Sequence, residues 1–431
     1  MPITPIKPNT QNHVIIIGGG HVGLSFALLL AYRGIYSTLI ETVSYPAIAP
    51  DQDTKRQHYL DSRNTALSRR SVQIYQEIKL WQHLENHACR IDGVLISELG
   101  SFGRATLDKN AEGVESFGFV MENAWLGRQL LQSVRASEFI TLLDGTQVTD
   151  IAQDNTSVTV RACKVGQQTT DNCNVSLIEA PLAVACDGQN SPIRQLLGVK
   201  TKVHDYCQVG IVGVVQTDKP HQHLAIEKFS SAGPLALLPL LDEMVDDHQS
   251  HRRSVVFICP KGEEQRYLQD DEHFLATLQS VFGDDAGTFI KAGRRGAYPL
   301  SKVLATRQVV GRCVLMGNAA HTLHPVAGQG FNLCLRDAHA LANMLGDVLK
   351  THSEQGRMGR FDFGDQSRLL AYEVARQKDQ KRVVHFCDTV VGSFTNPNPV
   401  MKFARNVGLI AFDKIPGIKP LVASYAMGLK S

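Results

Sequence analysis

Hydrophobic residues near the N-terminus fall into three consecutive runs. His13–Ile17 is a short β-rich apolar run that ends in three glycines, and Ser37–Ile40 is a second run of this kind. Between them, Val22–Tyr32 is apolar almost all round, which is typical of a buried helix, and Gly34 is placed to end that helix. The pattern predicts a strand–turn–helix–strand unit, the opening of a Rossmann-like domain.

The middle of the chain has a different pattern, in which short apolar runs are separated by polar loops. The predicted strands are Val94–Leu99, Gln208–Gln216, Leu235–Leu240 and Ser254–Cys259. Because few long helices are predicted between residues 200 and 260, these strands indicate a β-sheet domain inserted into the first domain. The strand–turn–helix pattern then returns with Cys313–Met316 and a helix from Gln329 to Leu349, and the tail after Asp365 is predicted to be largely helical.

Composition excludes several classes of protein. The 431 residues, 43% of them hydrophobic, suffice for a large buried core, and a net charge of +2 without a long basic stripe gives no indication of nucleic-acid binding. Nine cysteines without a C-x-x-C pair indicate neither a disulfide framework nor a zinc ribbon. Met1–Asn12 lacks the apolar run of a signal peptide. We therefore expect a soluble cytoplasmic protein, with contact to the inner membrane surface left open.

The three glycines belong to a longer motif, Gly18-Gly19-Gly20-His21-Val22-Gly23, which matches G-x-G-x-x-G between a predicted strand and a predicted helix. We expect Gly18 to permit the tight turn, Gly20 to let a pyrophosphate approach the backbone, and Gly23 to let helix and strand pack closely. Glu41, at the end of the second strand, is placed to bind the ribose hydroxyls of an adenosine. The motif indicates a dinucleotide site rather than a ligand-free turn, and it does not separate FAD from NAD.

Two later segments carry a pattern of their own. Pro181–Arg194 (PLAVACDGQNSPIR) is a predicted strand that runs into Asp187-Gly188, and Val314–Asn332 (VLMGNAAHTLHPVAGQGFN) is a strand followed by a Pro/Gly loop that opens a helix. With the glycine motif, the D-G-x-x-S-x-x-R and G-[DN]-A-A-H-x-x-x-P-x-x-G-Q-G-x-N segments make the chain resemble the para-hydroxybenzoate-hydroxylase-like FAD monooxygenases.

Further stretches resemble the ubiquinone-biosynthesis hydroxylases of that family: Asp61–Leu67, Glu227–Leu240, Tyr298-Pro299-Leu300 and Arg336-Asp337. The sequences GNAA and GPLALLPL are most similar to enzymes that hydroxylate 2-polyprenyl-6-methoxyphenol. The resemblance implies an α/β fold, with a Rossmann-like FAD-binding domain, an inserted β-sheet substrate domain and a helical C-terminal region. The implied bounds are 1–78, 113–197 and 298–364 for the FAD-binding domain, 79–112 and 198–297 for the substrate domain, and 365–431 for the C-terminal region.

The resemblance also implies where FAD binds. It places Asn318, where most relatives carry Asp, beside the ribityl chain, and it places the loop Pro325–Asn332 over the flavin ring, with a helix N-terminus facing the charge of reduced flavin. Asp187 is expected to help hold FAD and to serve the nicotinamide, to cap the helix near Ser191, or to do both. For Arg63 and Arg128, the alternative to a cofactor contact is a solvated surface charge. The full set of expected cofactor contacts is Gly18, Gly20, His21, Val22, Gly23, Glu41, Arg63, Arg128, Asp187, Asn318, Pro325, Gly328, Gln329, Gly330 and Asn332.

In such relatives, NADPH or NADH binds transiently and reduces the flavin, O2 adds at the flavin C4a position, and a phenol ring accepts one oxygen atom. No residue is assigned as the substrate base. His321 and His324 are expected to be structural, and neither this pair nor His83 and His87 has the ligand cluster of a metal site, so no metal is predicted. The candidate substrate-pocket residues, with core packing as the equal alternative, are Tyr206, Gln208, Phe229 and Pro239.

For the ubiquinone subgroup the implied substrate is a phenol with a long isoprenoid tail, which lives in the bilayer. Val407–Lys430 mixes apolar residues with three lysines and one acid, so it is a candidate surface for a membrane or a partner, or an ordinary packed segment. Family precedent adds association with other ubiquinone-biosynthesis proteins. The alternatives are a hydroxylase of a small soluble phenol, a flavin-dependent isoprenoid reductase, and a non-catalytic prenyl-binding protein.

Overall fold

The computed structural model describes residues 12–46, 63–166, 175–230, 232–245, 248–354, 361–396 and 398–414. The expectations for residues 1–11 and 415–431 lie outside these ranges. The described strands are β1 His13–Ile17, β2 Tyr36–Ile40, β3 Asn64–Ser68, β4 Ala88–Ile91, β5 Gly93–Glu98, β6 Arg104–Asp108, β7 Gly118–Glu122, β8 Ile140–Leu143, β9 Thr146–Gln153, β10 Val158–Lys164, β11 Ser176–Ala180, β12 Leu182–Ala185, β13 Thr201–Thr217, β14 Leu224–Ser230, β15 Gly233–Pro239, β16 Glu243–Val245, β17 His248–Pro260, β18 Phe289–Ala305, β19 Val309–Val310, β20 Cys313–Leu315 and β21 His321–Thr322. The described α-helices are α1 His21–Ala31, α2 Arg69–Glu77, α3 Asn123–Ala136, α4 Pro192–Leu196, α5 Glu264–Gln269, α6 Asp271–Phe282, α7 Gln329–Glu354, α8 Gln366–Thr395 and α9 Pro399–Lys414.

A mostly parallel sheet forms the centre of the first domain, as the sequence predicts. Its strand order over the described residues is β19-β20-β12-β1-β2-β8, and β19 is an antiparallel edge strand. Every residue of β1 is buried, because helices α1 and α7 cover one face of the sheet and the strands β9, β10 and β11 pack on the other. β1 pairs in parallel with β2 and β12, and β12 pairs in parallel with β20. The carboxyl ends of β1, β12 and β20 therefore lie side by side at one edge of the sheet.

Helix α1 packs its apolar surface into the same core as α7. Leu29 and Leu30 of α1 are fully buried, and they belong to one cluster with Leu341 and Leu345 of α7. The predicted helix differs from the observed one by a single residue at each end. Gly34 adopts a left-handed φ of 71°, and the chain turns there after the helix.

The inserted β-sheet domain is confirmed as a large, mainly antiparallel sheet. In the described part of the chain its order is β21-β18-β13-β17-β15-β14-β5-β6, and β16 pairs with β17. Helix α6 covers one face with buried Phe274 and Phe282. Two smaller sheets, β11-β10-β9 and β3-β7-β4, flank the first domain. The exact domain bounds stay a prediction.

The strand predicted at Gln208–Gln216 is much longer in the structure. β13 begins at Thr201, and its first residues pair with the end of β18. The prediction missed this part because Lys202 and His204 are exposed and polar, so no apolar run marks them. β13 and β18 together make a long ribbon that joins the inserted sheet to the first domain.

The C-terminal region is helical over its described residues, as predicted. α8 packs on the first domain through buried Leu369 and Tyr372. None of the described helices is long and apolar enough to cross a bilayer.

Candidate active site

The glycine motif forms a tight turn from β1 into α1. Gly18 has a left-handed φ of 104°, and a Cβ added to Gly23 would overlap the Gly18 carbonyl oxygen. A Cβ on Gly20 would meet no atom within 4 Å, so this side of the turn is open. Each glycine thus has the geometry that its expected role requires.

Helix α1 presents a free N-terminus at this turn. Gly20 is the N-cap and makes no side-chain capping bond, and no acidic residue lies in the first turn. The first N–H groups of a helix have no partner within the helix, and the helix dipole adds positive potential there. This end of α1 therefore suits a phosphate group.

Glu41 and Tyr45 lie against the middle glycine of the motif. Glu41 Oε2 accepts from the Gly19 N–H at 2.5 Å, Glu41 Oε1 accepts from the Val43 N–H at 2.8 Å, and the Tyr45 hydroxyl donates to the Gly19 carbonyl. Burial, with the charge of Glu41, raises the pKa of Tyr45 well above its usual value, so the phenol keeps its proton. Glu41 supports the turn, and its contact with ribose stays a prediction. No motif in the sequence indicates Tyr45.

The second and third motif segments reach the same edge of the sheet. The Cys186 N–H, after β12, donates to the Ile17 carbonyl at 2.6 Å, and the Met316 N–H, after β20, donates to the Ala185 carbonyl at 2.9 Å. A Cβ on Gly317 would lie 3.3 Å from the Val22 side chain at the start of α1. The three segments that the sequence singled out converge at the carboxyl ends of three adjacent strands, where open α/β sheets bind ligands.

Asp187 caps a short helix, which is one of its two expected roles. Its Oδ2 accepts from the Ile193 N–H at 3.0 Å, and the Ser191 hydroxyl caps the same helix through the Arg194 N–H at 2.9 Å. Burial raises the pKa of Asp187 in spite of these bonds. Gly188 and Gln189, rather than Asp187, line the cleft described below. A contact of Asp187 with either dinucleotide stays a prediction.

The loop from Pro325 opens α7, and Asn332 holds it in place. Asn332 Oδ1 accepts from Ser68 N–H and the Ser71 hydroxyl, at 2.8 and 2.7 Å, and Asn332 Nδ2 donates to the carbonyls of Ala66 and Gly328, both at 2.8 Å. Its side chain thus uses its amide groups inside the protein. Asn332 shapes the loop, and a direct cofactor contact by its side chain stays a prediction.

A cleft of about 770 Å³ runs from the glycine turn to the inserted sheet, which is within the range of about 300–1,000 Å³ for ligand sites. Among the described residues that line it there is no carboxylate. The expected cofactor contacts that line it are Gly20, His21, Val22, Arg63, Arg128, Asn318, Pro325, Gly328 and Gly330. The expected contacts that do not line it are Gly18, Gly23, Glu41, Asp187, Gln329 and Asn332, which form the turns and loops behind its wall.

Both expected arginines lie at the cleft, next to aromatic rings. The Arg63 guanidinium lies 4.9 Å from the Tyr298 ring centroid, and the Arg128 guanidinium lies 5.8 Å from that of Trp125. Arg63 is exposed and Arg128 is half-buried, so their contact with the cofactor stays a prediction, with a solvated surface charge as the alternative. With the N-terminus of α1, these cations make the cleft attractive to a diphosphate.

The inserted sheet forms the apolar wall of the cleft. The wall residues on this side are Gly210, Val212, Val256, Tyr298, Pro299, Leu300 and Ser301. The sequence indicated Tyr298-Pro299-Leu300 through its resemblance, but it missed the residues from β13 and β17. Those residues face the cleft through the register of three paired strands, which local pattern does not reveal.

None of the four candidate substrate residues is among those lining this cleft. Gln208 lies two residues before Gly210 on β13, donates to the Ala232 carbonyl at 2.7 Å and contacts His324 at 3.4 Å. The rings of Tyr206 and His324 meet edge to face, with centroids 4.9 Å apart. Phe229 stacks on Phe394 of α8 at 3.8 Å, and Pro239 pairs with Arg253. These are packing contacts, and a substrate contact by any of the four stays a prediction.

The two loop histidines have structural environments. His321 Nε2 lies 2.7 Å from Asp337 Oδ2, and both side chains are buried. Burial lowers the pKa of His324 to about 4, so its ring is neutral at physiological pH. Neither histidine lines the cleft.

Comparisons with known proteins agree with this geometry. The family profile described as "FAD binding domain" matches residues 11–386. Ubiquinone hydroxylase UbiL of Rhodospirillum rubrum is 30% identical over 416 residues, which cover 96% of this chain and 89% of that protein. The 3-demethoxyubiquinol 3-hydroxylase of Escherichia coli (strain K12) is 27% identical over 423 residues, which cover 98% and 100% of the two chains.

The crystal structure of p-nitrophenol 4-monooxygenase PnpA from Pseudomonas putida DLL-E4 has a TM-score of 0.73 to this chain at 17% identity, covering 95% of this chain and 96% of that one. At that identity the likeness concerns the fold alone. The family match spans all three segments that meet at the sheet edge, and the open side of Gly20 and the uncapped α1 fit a dinucleotide. The chain therefore belongs to the FAD-binding-domain family and is an FAD-dependent monooxygenase.

Proposed function

We propose that this enzyme hydroxylates the ring of a polyprenylated phenol in ubiquinone biosynthesis, with NADPH or NADH as the electron donor and O2 as the oxygen source. The relatives named above support the pathway, since they act as a ubiquinone hydroxylase and a demethoxyubiquinol hydroxylase. The observation that carries the proposal is the cleft, which connects the dinucleotide turn to an apolar wall of the inserted sheet.

The dinucleotide half of the cleft fits FAD in an extended arrangement. We place the pyrophosphate at the N-terminus of α1, the ribityl chain beside Asn318 and the flavin under the loop that starts at Pro325. The N-terminus of α7, where Gly330 is open to the cleft, would stabilise negative charge on a reduced flavin held there. Bound there, the flavin supplies the activation of O2 at its C4a position.

The sheet half of the cleft fits a ring with an apolar tail. Val212, Val256 and Leu300 offer hydrophobic surface, and none of the lining residues within the described ranges is a carboxylate that would repel a phenolate. Apolar walls also exclude water, which favours transfer of oxygen to the ring over release of hydrogen peroxide. The residues of this wall orient the substrate, and the chemistry belongs to the cofactor.

Helix α9 carries an exposed apolar ridge, which supports contact with the membrane that holds such a substrate. Val400, Phe403, Val407 and Ile410 are spaced along one face and are 74%, 64%, 46% and 39% exposed. An ordinary surface helix buries its apolar residues, whereas these four are exposed.

The opposite face of α9, which carries buried Asn406 and Leu409, is fixed to the inserted sheet. Arg405 forms an ion pair with Glu98 at 2.6 Å, and Asn406 Oδ1 accepts from the Gly103 N–H at 2.9 Å. The helix is therefore held with its ridge outward. We propose that the ridge inserts into the lipid headgroup region and brings the cleft to its substrate.

The test of function compares a phenol carrying an isoprenoid chain with the same phenol without it. We expect a hydroxylated product with one oxygen atom from labelled O2, and a kcat/KM more than tenfold higher for the tailed phenol, because each buried CH2 contributes about 0.8 kcal/mol. Equal kcat/KM values for both phenols would favour a hydroxylase of soluble phenols. Saturation of the chain without oxygen uptake would identify a reductase.

Membrane contact is tested separately by sedimentation with anionic liposomes. Replacing Val400, Phe403 and Val407 by Ser should release the protein from the vesicles and leave turnover of a detergent-solubilised substrate unchanged. The matched control replaces Leu370 and Val374 by Ser, which are 48% and 59% exposed on α8. Equal release by both variants would refute the role of the ridge.

A further inference from the structure

A cluster of potential metal ligands lies outside the cleft, where β4, the turn between β13 and β14, and the end of β15 meet. Cys89 Sγ lies 3.6 Å from His223 Nδ1 and 4.0 Å from His221 Nε2. Ligand atoms of these three residues lie within 4.8 Å of one another. Asp242 adds a carboxylate oxygen 3.6 Å from His221 Nε2. None of these residues lines the cleft, so the cluster is separate from the flavin site.

The geometry points to a site for a divalent metal ion, Zn²⁺ by its ligand chemistry, formed by Cys89, His221 and His223, with Asp242 moving in beside His221 as the fourth ligand when the ion binds. Zinc binds thiolate sulfur at about 2.3 Å and imidazole nitrogen at about 2.0 Å in tetrahedral geometry, which puts sulfur and nitrogen about 3.5 Å apart. The two sulfur–nitrogen distances are within about 0.5 Å of this value. A set of one thiolate, two imidazoles and one carboxylate suits zinc better than Mg²⁺ or Ca²⁺, which prefer oxygen ligands.

The surrounding residues support the site from behind. The other oxygen of Asp242 lies 2.9 Å from His251 Nδ1. A partner of this kind orients a carboxylate that binds a metal ion. Gln222 and His223 both adopt left-handed φ angles, 50° and 58°, in the turn that directs His221 and His223 toward Cys89. Such conformations are rare for residues other than glycine and concentrate at functional sites. His223 is partly exposed, which gives an ion access, whereas Cys89 and His221 are buried.

Metal binding competes with hydrogen bonds that His221 makes in the structure. Its Nε2 lies 2.8 Å from the Leu240 carbonyl, and its Nδ1 accepts from the His223 N–H at 3.0 Å. Coordination through Nε2 gives up both bonds, because the neutral ring then carries its proton on Nδ1. The affinity should therefore be lower than that of a closed zinc finger, and we place the dissociation constant at or below about 1 μM.

A bound ion would join three parts of the chain. Cys89 belongs to the small sheet beside the first domain, His221 and His223 follow β13, and Asp242 follows β15. Because an ion that binds only the folded state stabilises it, Zn²⁺ should raise the melting temperature of the flavin-loaded protein, and Mg²⁺ should not. The sequence did not reveal this site, since Cys89 lies 132 residues before His221.

The test titrates chelator-treated holoenzyme with Co²⁺, which replaces zinc and is visible by absorption. We expect one Co²⁺ per chain, with a thiolate-to-cobalt charge-transfer band and tetrahedral bands on the long-wavelength side of the flavin absorption. Cys89→Ser should abolish the thiolate band, and His223→Gln should weaken binding at least tenfold. The matched controls, Cys207→Ser and His204→Gln, remove an exposed cysteine and an exposed histidine of β13 and should bind as the wild type does.

The wild-type titration decides the proposal even if Cys89→Ser fails to fold. If the wild type shows no thiolate band with up to about 100 equivalents of Co²⁺, binding is too weak for a built site. That result would overturn the proposal. Equal loss of the band in Cys207→Ser would also overturn it, because the observed ligand would then be the exposed cysteine.

Discussion

Asp337 lies at the centre of a buried polar network that links the flavin loop to the C-terminal region, and its replacement by Asn should destabilise the protein strongly. Its carboxylate lies 2.7 Å from His321 Nε2 and accepts from Arg376 Nε at 2.5 Å and from Gln380 Nε2 at 2.9 Å. Its side chain is 2% exposed. Asp337→Asn keeps the volume and removes the charge, and it turns an NH2 group toward these donors.

The magnitude follows from the burial of the partners that remain. Burial alone raises the pKa of Asp337, but the bond from His321 and the charges of His321 and Arg376 outweigh it and leave the pKa below its usual range. The charged carboxylate is thus the form that the fold stabilises. Removing one partner of a buried pair leaves an uncompensated charge and costs about 3–5 kcal/mol. We expect a loss of that size in the free energy of unfolding.

The assay is urea denaturation of the flavin-loaded protein, followed by circular dichroism at pH 7.5. The control is Asp388→Asn, which removes an ion pair between Asp388 and Lys302 with side chains 38% and 21% exposed. A pair of this exposure is worth about 0–1 kcal/mol. The double variant Asp337→Asn/Arg376→Met should lose less than the sum of its single variants, because it also removes the positive charge that Asp337 balances. Losses below about 1 kcal/mol for Asp337→Asn, equal to those of the control, would refute this account of the network.

Three further predictions follow from the site and the core. Gly20→Val should fold normally yet purify without FAD, because the new side chain would enter the open cleft, whereas Gly392→Val in α8, also free of neighbours within 4 Å, should keep its flavin. A yellow Gly20→Val protein with one flavin per chain would contradict the placement of the cofactor. Val212→Phe should retain FAD and lower kcat/KM for a tailed phenol about tenfold, about 1.4 kcal/mol, by filling the sheet side of the cleft; unchanged kinetics would exclude that wall. Burial lowers the pKa of His13 from 6.5 to about 4, so between these pH values the unfolded state binds a proton that the folded state does not, and the free energy of unfolding should fall by about 3 kcal/mol from pH 6.5 to pH 4. His13→Gln should reduce this pH dependence in thermal melts, and an unchanged pH dependence would contradict the role of His13.

The dinucleotide half of the site was predictable because its constraints are local. Gly18 adopts a positive φ and Gly23 packs against the Gly18 carbonyl, both within one turn of chain, and Asp187 and Asn318 follow strands whose ends had to meet once a parallel sheet was predicted. The resemblance to a family supplied the cofactor, which the glycine motif alone left open.

The substrate half was not predictable to the same degree. Tyr206 and Gln208 were chosen on β13, yet the cleft is lined two residues further along, from Gly210, and an irregularity in the β13–β18 pairing separates Asp205 from Gln208. Cys207, at this irregularity, has a left-handed φ of 54°. Which residues of a strand face a ligand depends on register and bulges among distant strands, and these are properties of the folded sheet.

The polar contacts of the C-terminal region were also beyond the sequence. The sequence indicates Arg336-Asp337 as a family feature, but the partners of these two residues, Arg376 and Asp379, lie in the next helix of the chain, α8. In the same way, the exposed ridge of α9 is visible only once its buried face is known. Pairings of this kind require the packing of helices against one another, which hydrophobic pattern alone does not specify.

The most direct test of the central claim, that this cleft hydroxylates a tailed phenol on the route to ubiquinone, is deletion of the gene followed by mass spectrometry of the lipid extract. The account predicts accumulation of a polyprenyl phenol that lacks one ring hydroxyl, and restoration of the quinone by the wild-type gene but not by Gly20→Val. Normal quinone levels in the deletion strain, or full restoration by the Gly20→Val gene, would contradict it.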